Sequence, residues 1–291
     1  MKKIIFAITA VLIFSLLGGC QNKSEQCQIA ATTLPVYTFT ADLCEGTNLE
    51  VCQIVTQNVS CLHDYTMQSS QMRAIESSEV LIISGGGLEE FIGDVLQTKD
   101  TVIDASENIT LHCAEEDHDH SHEHSHDQDP HIWLSPENAK IMAQNICDGL
   151  TRQYPQHAEI FQNNLKILAE KLDLLQAYGE EELSDLSCRR LITFHDGFSY
   201  LAEAFDLTIL KAIEEDSGSE ASAAELKELI MLVNEYDLPA IFVETNGSVS
   251  SANTISSETG AKLYSLDMAM SETNYFDAMY HNIDTLKEAL K

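Results

Sequence analysis

Short apolar runs alternate with longer amphipathic segments along most of the chain. The first half predicts four strands, at residues 29–34, 49–55, 80–84 and 101–104. Helices are predicted between them, at residues 36–43, 68–77 and 88–96. Strands that alternate with helices are typical of a parallel sheet covered by helices. The first lobe is therefore predicted to be α/β.

A long helical pattern follows this lobe. Ser135 and Pro136 form a typical helix start, with a capping serine and proline at the first helical position, and the helix is expected to run to about residue 150. A second helical pattern covers residues 155–183 and contains no glycine before Gly179. Such a helix would be on the order of 40 Å long. We expect it to form a rigid spine between two lobes.

Beyond the spine the alternation resumes. Strands are predicted at 191–194, 208–212, 240–243 and 262–266, and helices at 197–205, 222–236, 250–258 and 275–290. Ser222 and Glu225 form a capping-box pattern. The predicted fold class is α/β: two lobes, each a roughly four-stranded parallel sheet with flanking helices, joined by a long rigid helix. The predicted limits are 27–150 for the first lobe, 151–185 for the spine and 186–291 for the second lobe.

The first residues have the pattern of an export signal. Lys2 and Lys3 precede an apolar run over residues 4–17, which is too short to span a bilayer. Small residues then precede Cys20, as a lipoprotein signal peptidase requires. Residues 1–19 are therefore predicted to be a lipoprotein signal peptide and residues 20–26 a polar tether. The protein is expected outside the cytoplasm, anchored to the cell membrane through Cys20; an ordinary signal peptide is the alternative.

Charge and cysteine content narrow the function further. Lys and Arg number 16 against 47 Asp and Glu, so the formal charge is −31. This charge repels nucleic acid and attracts cations.

Seven cysteines remain after Cys20, none of them in a CxxC pair. An exported chain with this odd number is expected to form one or two disulfides, with Cys44–Cys52 as the local candidate.

Three histidines stand at the predicted edges of strands or helices. His63 follows the second strand, His131 precedes a helix, and His195 closes the fifth strand. Binding sites favour domain interfaces and the carboxyl ends of parallel strands. Three imidazoles bind zinc well and leave one position for a fourth ligand. Asp267, just past the last strand, is the candidate for it, with Glu244 and water as alternatives.

A histidine-rich segment lies within the first lobe, at residues 112–128. It mixes carboxylates with six histidines: His112, His118, His120, His122, His124 and His126. Because it is almost without apolar residues, it cannot pack into a core and is expected to form a mobile loop. Clustered imidazoles bind borderline divalent metals, several per loop. The segment is predicted to be an auxiliary metal-binding loop; a solvated acidic loop is the alternative.

Several sequence blocks occur together in order. They are His63-Asp64-Tyr65, Gly85-Gly86-Gly87-Leu88-Glu89, Asp129-Pro130-His131-Ile132-Trp133-Leu134-Ser135-Pro136, Phe194-His195-Asp196-Gly197-Phe198, Ile241-Phe242-Val243-Glu244 and Glu258-Thr259-Gly260-Ala261-Lys262. With these blocks the chain, from about residue 29 onward, resembles the cluster A-I metal-binding solute receptors of ABC importers. The histidine pattern resembles their zinc branch, the ZnuA-like and AdcA-like lipoproteins.

The resemblance implies that Zn²⁺ is the transported ligand and lies between the lobes. Its ligands would be His63, His131 and His195, with Asp267 or water completing the site. Manganese receptors of the family tend to carry glutamate where this chain has His195. The partner would be the transmembrane permease of an ABC importer, and the receptor is expected to be monomeric. Carboxylates next to the histidines, at Asp64 and Asp196, and backbone carbonyls are expected to fix the histidine tautomers.

Other functions use similar chemistry. A manganese receptor of the same family and a metal-buffering surface adhesin are the alternatives that the sequence leaves open. A zinc hydrolase would also need three histidines and an open position. The chain contains no HExxH or GxSxG motif and no phosphate-binding loop with Lys and Ser or Thr. An enzyme is therefore not the expected function.

Overall fold

The structure is a computed structural model that describes most of the chain from Cys27 onward. The described residues are 27–56, 62, 65–112, 128–212, 221–245, 249–270 and 274–291. Several predicted features lie outside them: the signal peptide and tether, the lipidated Cys20, Cys61, His63, Asp64, Cys113, His118, His120, His122, His124 and His126. Within the described ranges, no helix is long and apolar enough to cross a membrane.

The first lobe is built on a four-stranded parallel sheet. Its strands are β1 (Ile29–Ala31), β2 (Val51–Gln53), β3 (Val80–Ile83) and β4 (Val102–Asp104). They lie in the order β2-β1-β3-β4. The helices that follow the first three strands are α1 (Leu34–Cys44), α2 (Ser69–Ser77) and α3 (Gly93–Thr98).

Two helices then connect the lobes. The first, α4 (Pro136–Gln153), begins as predicted: the Ser135 hydroxyl accepts a hydrogen bond from the backbone N–H of Asn138, 3.3 Å away. A single 3₁₀ turn (Pro155–His157) leads into α5 (Ala158–Glu182), which is the predicted spine. With 25 residues, α5 is about 37 Å long.

The spine joins the two lobes through one apolar face. Its buried side chains recur every three or four residues: Phe161, Leu165, Leu168, Leu172 and Leu175. This face packs against α1 of the first lobe, α4, and the last helix of the second lobe. One hydrophobic core therefore runs through both lobes. A shared core of this kind opposes wide separation of the lobes.

The second lobe repeats the architecture of the first. Its strands are β5 (Arg190–Thr193), β6 (Thr208–Ala212), β7 (Ala240–Glu244) and β8 (Lys262–Leu266), in the order β6-β5-β7-β8, all parallel. Its helices are α6 (Ser199–Ala204), α7 (Ala223–Glu235), α8 (Ser250–Thr259) and α9 (Tyr275–Leu290). The predicted capping box of Ser222 and Glu225 is present at the start of α7.

The predicted fold class is confirmed, but some element bounds were wrong. Residues 88–96 do not form one helix: a 3₁₀ turn (Leu88–Ile92) precedes α3, because the Glu89 carboxylate reaches back to the backbone N–H groups of Ser84 and Gly85. The helix expected at 197–205 likewise starts as a 3₁₀ turn (Asp196–Phe198) before α6. Both segments therefore begin with a 3₁₀ turn before the α-helix starts.

The expected Cys44–Cys52 disulfide was wrong. Cys52 in β2 is bonded instead to Cys27, just before the neighbouring strand β1, with 5.8 Å between the Cα atoms. Cys44 lies at the end of α1, in the core on the opposite face of the sheet. Because side chains alternate between the two faces of a strand, Cys52 points away from Cys44. Cys44, Cys147 and Cys188 are free thiols.

Candidate metal centre

His131 is held in place by the turn that precedes it. The Asp129 carboxylate, two residues earlier, accepts a hydrogen bond from the backbone N–H of His131 at 2.9 Å. The same oxygen, Oδ1, lies 2.8 Å from Nδ1 of the imidazole. Since an ionised carboxylate can only accept, Nδ1 carries a proton, and in the neutral imidazole Nε2 then keeps its lone pair. The His131 side chain is buried, with Nε2 available as a ligand atom.

The charge on Asp129 is stabilised by its hydrogen bonds. Burial by itself would raise the pKa of this carboxyl, but bonds from His131 and Ser199 outweigh burial and hold the pKa below its usual range. An ionised carboxylate behind a histidine makes the imidazole a more basic ligand and fixes its orientation. Asp129 is therefore suited to hold His131 for a metal ion.

His195 meets His131 from the second lobe. It lies two residues beyond the end of β5, and its backbone carbonyl accepts a hydrogen bond from the Thr193 hydroxyl at 2.8 Å. Its Nε2 lies 3.5 Å from Nε2 of His131, and the two rings are almost perpendicular. Two nitrogens bound tetrahedrally to one zinc ion, at about 2.0–2.1 Å each, are about 3.3–3.4 Å apart. The pair therefore has the spacing of two ligands of a single ion.

Two carboxylates end at the same edge of the second sheet as His195. Glu244 is the last residue of β7 and Asp267 follows β8; both are buried. Asp267 is fixed by Asn282, which accepts from its backbone N–H and donates to its carbonyl, both at 2.7 Å. Its Oδ1 accepts from the backbone N–H of Ala269. The sheet topology thus places both candidates for the fourth ligand at the cleft edge, and the choice between them stays a prediction.

Trp133 fastens the two lobes together beside the histidine pair. Its indole N–H donates a hydrogen bond to the backbone carbonyl of Met268, 2.8 Å away. Its own carbonyl accepts one from the hydroxyl of Tyr275, also at 2.8 Å. Trp133 and Tyr275 are both fully buried. The segment that carries His131 is therefore bonded to the second lobe on both sides of the tryptophan.

The histidine-rich segment leaves the first lobe through His112 and returns at Asp129. The backbone N–H of Asp129 donates to the carbonyl of His112 at 2.9 Å, so the two ends are adjacent. The His112 ring stacks on Tyr200, and its nitrogens contact Ser199 Oγ at 3.0 Å and a carboxylate oxygen of Glu203 at 2.7 Å. His112 is thus anchored to α6, and its role as an auxiliary ligand stays a prediction.

The structure brings together two of the three histidines expected to bind metal. His131 and His195 form the pair described above, while His63 lies outside the described residues. Among the residues that are described, no group of three or more His, Cys, Asp or Glu side chains could hold a metal ion. The assignment of His63, His131, His195 and Asp267 as ligands therefore stays a prediction.

Sequence reasoning missed Asp129 as the partner of His131. Of the two carboxylates predicted to accept from the histidines, Asp64 lies outside the described residues, and Asp196 Oδ1 lies 3.6 Å from Nδ1 of His195. The signal was present, because aspartate followed by proline favours a turn in which the carboxylate accepts from the backbone N–H two residues on. That turn places the carboxylate against His131.

Comparisons with known proteins agree with this architecture. The chain is 30% identical over 309 residues to the zinc-binding lipoprotein AdcA of Streptococcus pneumoniae, covering 99% of this chain and 61% of the relative. It is 26% identical over 308 residues to the manganese-binding lipoprotein MntA of Halalkalibacterium halodurans, covering 100% of this chain and 99% of the relative. The chain thus spans about three fifths of the length of AdcA.

Structural comparison gives the same result. A crystal structure of ZnuA superposes with a TM-score of 0.79 at 26% identity, covering 91% of this chain and 100% of that one.

A family model described as "ZnuA: Zinc-uptake complex component A periplasmic" matches residues 29–289, which is nearly all of the described part. The chain therefore belongs to the ZnuA family.

Proposed function

We propose that this protein is an extracytoplasmic receptor that binds Zn²⁺ between its lobes and delivers it to an ABC permease. The observation that carries the proposal is the pair of His131 and His195, one from each lobe, with Nε2 atoms 3.5 Å apart. That separation matches two tetrahedral zinc ligands. The Asp129 carboxylate leaves Nε2 of His131 as the ligand atom.

The donor set favours zinc. His63 is the third ligand in this proposal, and Asp267, Glu244 or water completes the site. Imidazole suits zinc, copper and nickel, whereas manganese is better matched by carboxylate and other oxygen ligands. The similarity to the zinc-binding lipoprotein AdcA supports the same metal. The expected site therefore has three nitrogen ligands and at most one carboxylate.

Manganese uptake is the second candidate. The chain is similar to the manganese-binding lipoprotein MntA, at 26% identity over 308 residues. Two buried carboxylates, Glu244 and Asp267, lie at the cleft edge and could supply the oxygen ligands that manganese prefers. A manganese ion would then be bound by the two histidines, His131 and His195, together with both carboxylates.

Delivery, anchoring and the absence of catalysis complete the proposal. The lipid at Cys20 would hold a monomeric receptor at the outer face of the cell membrane, next to its permease. The residues 112–128 would gather zinc loosely, and the interlobe site would bind it tightly. The relatives are described as binding or uptake proteins, which supports a receptor without catalytic activity. Cells that lack the chain should accumulate less radioactive zinc at low external concentration.

Metal titration tests the binding step. Calorimetry on the mature chain carrying Cys20→Ala should show one tight zinc site, with manganese bound more weakly. His131→Ala should weaken the tight site by at least about 100-fold, since it removes a ligand and leaves Asp129 without its partner. His281→Ala, which changes an exposed histidine on α9, is the matched control. Manganese bound more tightly than zinc would favour the second candidate.

A further inference from the structure

Asp129 bridges the two lobes. Its Oδ1 accepts hydrogen bonds from the backbone N–H and Nδ1–H of His131, in the first lobe. Its Oδ2 accepts one from the hydroxyl of Ser199, the first residue of α6 in the second lobe. The carboxylate is largely buried, with 11% of its side chain exposed. The two lobes therefore share one carboxylate, and the side chain it orients is a proposed metal ligand.

The next residue of α6 holds the backbone of the same turn. The hydroxyl of Tyr200 donates to the carbonyl of Asp129 at 2.8 Å and accepts from the backbone N–H of His112 at 2.9 Å. Tyr200 is almost fully buried. The position of Asp129 thus depends on α6 through both its side chain and its backbone. A shift of α6 would move the support of His131 without any change in the first lobe itself.

We propose that Ser199 is a positioning residue through which the second lobe sets the metal affinity of His131. This inference rests on the proposed function. With the lobes packed together, Ser199 holds the Asp129 carboxylate against Nδ1–H and keeps Nε2 directed at the metal. When α6 moves away, the carboxylate loses a hydrogen bond and the imidazole loses its fixed orientation. Zinc is then released after a small displacement, without wide opening of the shared core.

This arrangement predicts that Ser199 affects the interlobe metal site through Asp129, because its other side-chain contact, with Nδ1 of His112, lies outside the proposed ligand set. Outer partners of metal-binding histidines typically change metal affinity by about 10–100-fold when they are removed. Asp129→Ala should therefore weaken zinc binding by about 100-fold and Ser199→Ala by about 10-fold. The double variant should bind no more weakly than Asp129→Ala alone, because residues in one hydrogen-bonded chain are not additive. Ser199→Thr keeps the hydroxyl and should restore binding to within about twofold of the wild type.

The test is a zinc titration against a competing chelator, on the mature chain with Cys20→Ala. The variants are those above, and Ser187→Ala is the matched control, since its hydroxyl donates only to the carbonyls of Leu290 and Lys291 in the second lobe. The melting temperature of each metal-free variant is measured beside the affinity. Rescue by threonine at position 199 separates a positioning role from a general loss of stability.

The outcomes are distinct. Loss of affinity in Ser199→Ala, rescue in Ser199→Thr and no additivity with Asp129→Ala support the inference. Wild-type affinity in Ser199→Ala, additive losses, or a loss that threonine does not rescue would overturn it. A wild-type chain without a tight zinc site, or one unaffected by His131→Ala, would instead show that the proposed function itself is wrong.

Discussion

Gly197 and His131 lie so close together that no side chain fits between them. A Cβ built on Gly197 would stand 2.6 Å from Nδ1 of His131 and 2.7 Å from the terminal carbon of Met268. Gly197 follows His195 by two residues and belongs to the second lobe. The backbone of the second lobe thus packs closely against Nδ1 of His131, the nitrogen that is bonded to Asp129 in the first lobe. The glycine at position 197 permits the histidine pair to form.

Gly197→Ala should therefore impair zinc binding. The added methyl group forces His131 to move or the lobes to separate, and such overpacking costs about 1–3 kcal/mol. We expect zinc affinity to fall by about tenfold or more, measured by chelator competition. Gly93→Ala is the control, because a Cβ added at this helical position would meet no atom within 4 Å outside its own helix turn. Unchanged affinity in Gly197→Ala would mean that the metal does not lie beside this pair.

Removal of residues 113–127 should leave the tight site intact. The two ends of this segment are joined by the bond from Asp129 N–H to the carbonyl of His112, so a short glycine linker can replace it. Calorimetry should show that the weak zinc sites disappear while one tight site remains within a few-fold of its original affinity. The control is a full-length variant in which the five histidines between positions 118 and 126 are changed to asparagine. Loss of the tight site in both variants would place it in the loop.

The disulfide between Cys27 and Cys52 should stabilise the first lobe. It closes a loop with a sequence separation of 25, for which loop-closure entropy predicts about 3.5 kcal/mol. The double variant Cys27→Ala/Cys52→Ala should lose about this much free energy of unfolding, measured with urea. A reducing agent should lower the melting temperature of the wild type but not of the double variant. Peptide mapping that links Cys52 to Cys44 instead would contradict the structure.

Glu89 should make the stability of the metal-free protein depend on pH. Burial raises its pKa from 4.5 to about 7, although hydrogen bonds from Thr32, Ser84 and Gly85 favour the charged form. Between these two values the folded state keeps a proton that the unfolded chain has lost. The free energy of unfolding should therefore fall as pH rises from about 4.5 to about 7, by on the order of 3 kcal/mol for this group.

Urea unfolding at about pH 5 and about pH 8 measures the contribution of Glu89. Glu89→Gln cannot ionise, so the difference in stability between the two pH values should shrink relative to the wild type. Its exposed neighbour provides the control, Glu90→Gln, which should keep the wild-type difference. If Glu89→Gln and the wild type show the same pH dependence, the carboxyl is already ionised at about pH 5 in the folded protein.

Much of the fold could be predicted because the sequence patterns are local. The spine helix follows from apolar residues such as Leu168, Leu172 and Leu175 at helical spacing, and the start of α4 follows from Ser135 and Pro136. Strand ends were less accurate, since the expected strand at 29–34 ends at Ala31, where the proline-led start of α1 takes over. Neighbouring segments compete for the residues between them, and composition alone does not decide the boundary.

The site could be predicted only as a set of residue types at element edges. Histidines at the ends of predicted strands indicated ligands, but the pairing of His131 with His195 depends on how the lobes pack. The hydrogen bond from Ser199 to Asp129 and the close approach of Gly197 to His131 join residues about 70 positions apart, and no local pattern reveals them. The cysteine pairing failed for a similar reason, because it depends on which face of the sheet each side chain occupies.

We propose that one zinc ion lies between His131 and His195. A crystal structure of the zinc-loaded protein without residues 113–127, recorded on both sides of the zinc absorption edge, tests it most directly. We expect one strong anomalous peak, about 2.0–2.1 Å from Nε2 of both histidines. A peak elsewhere, or one bound by only one of the two histidines, would contradict it.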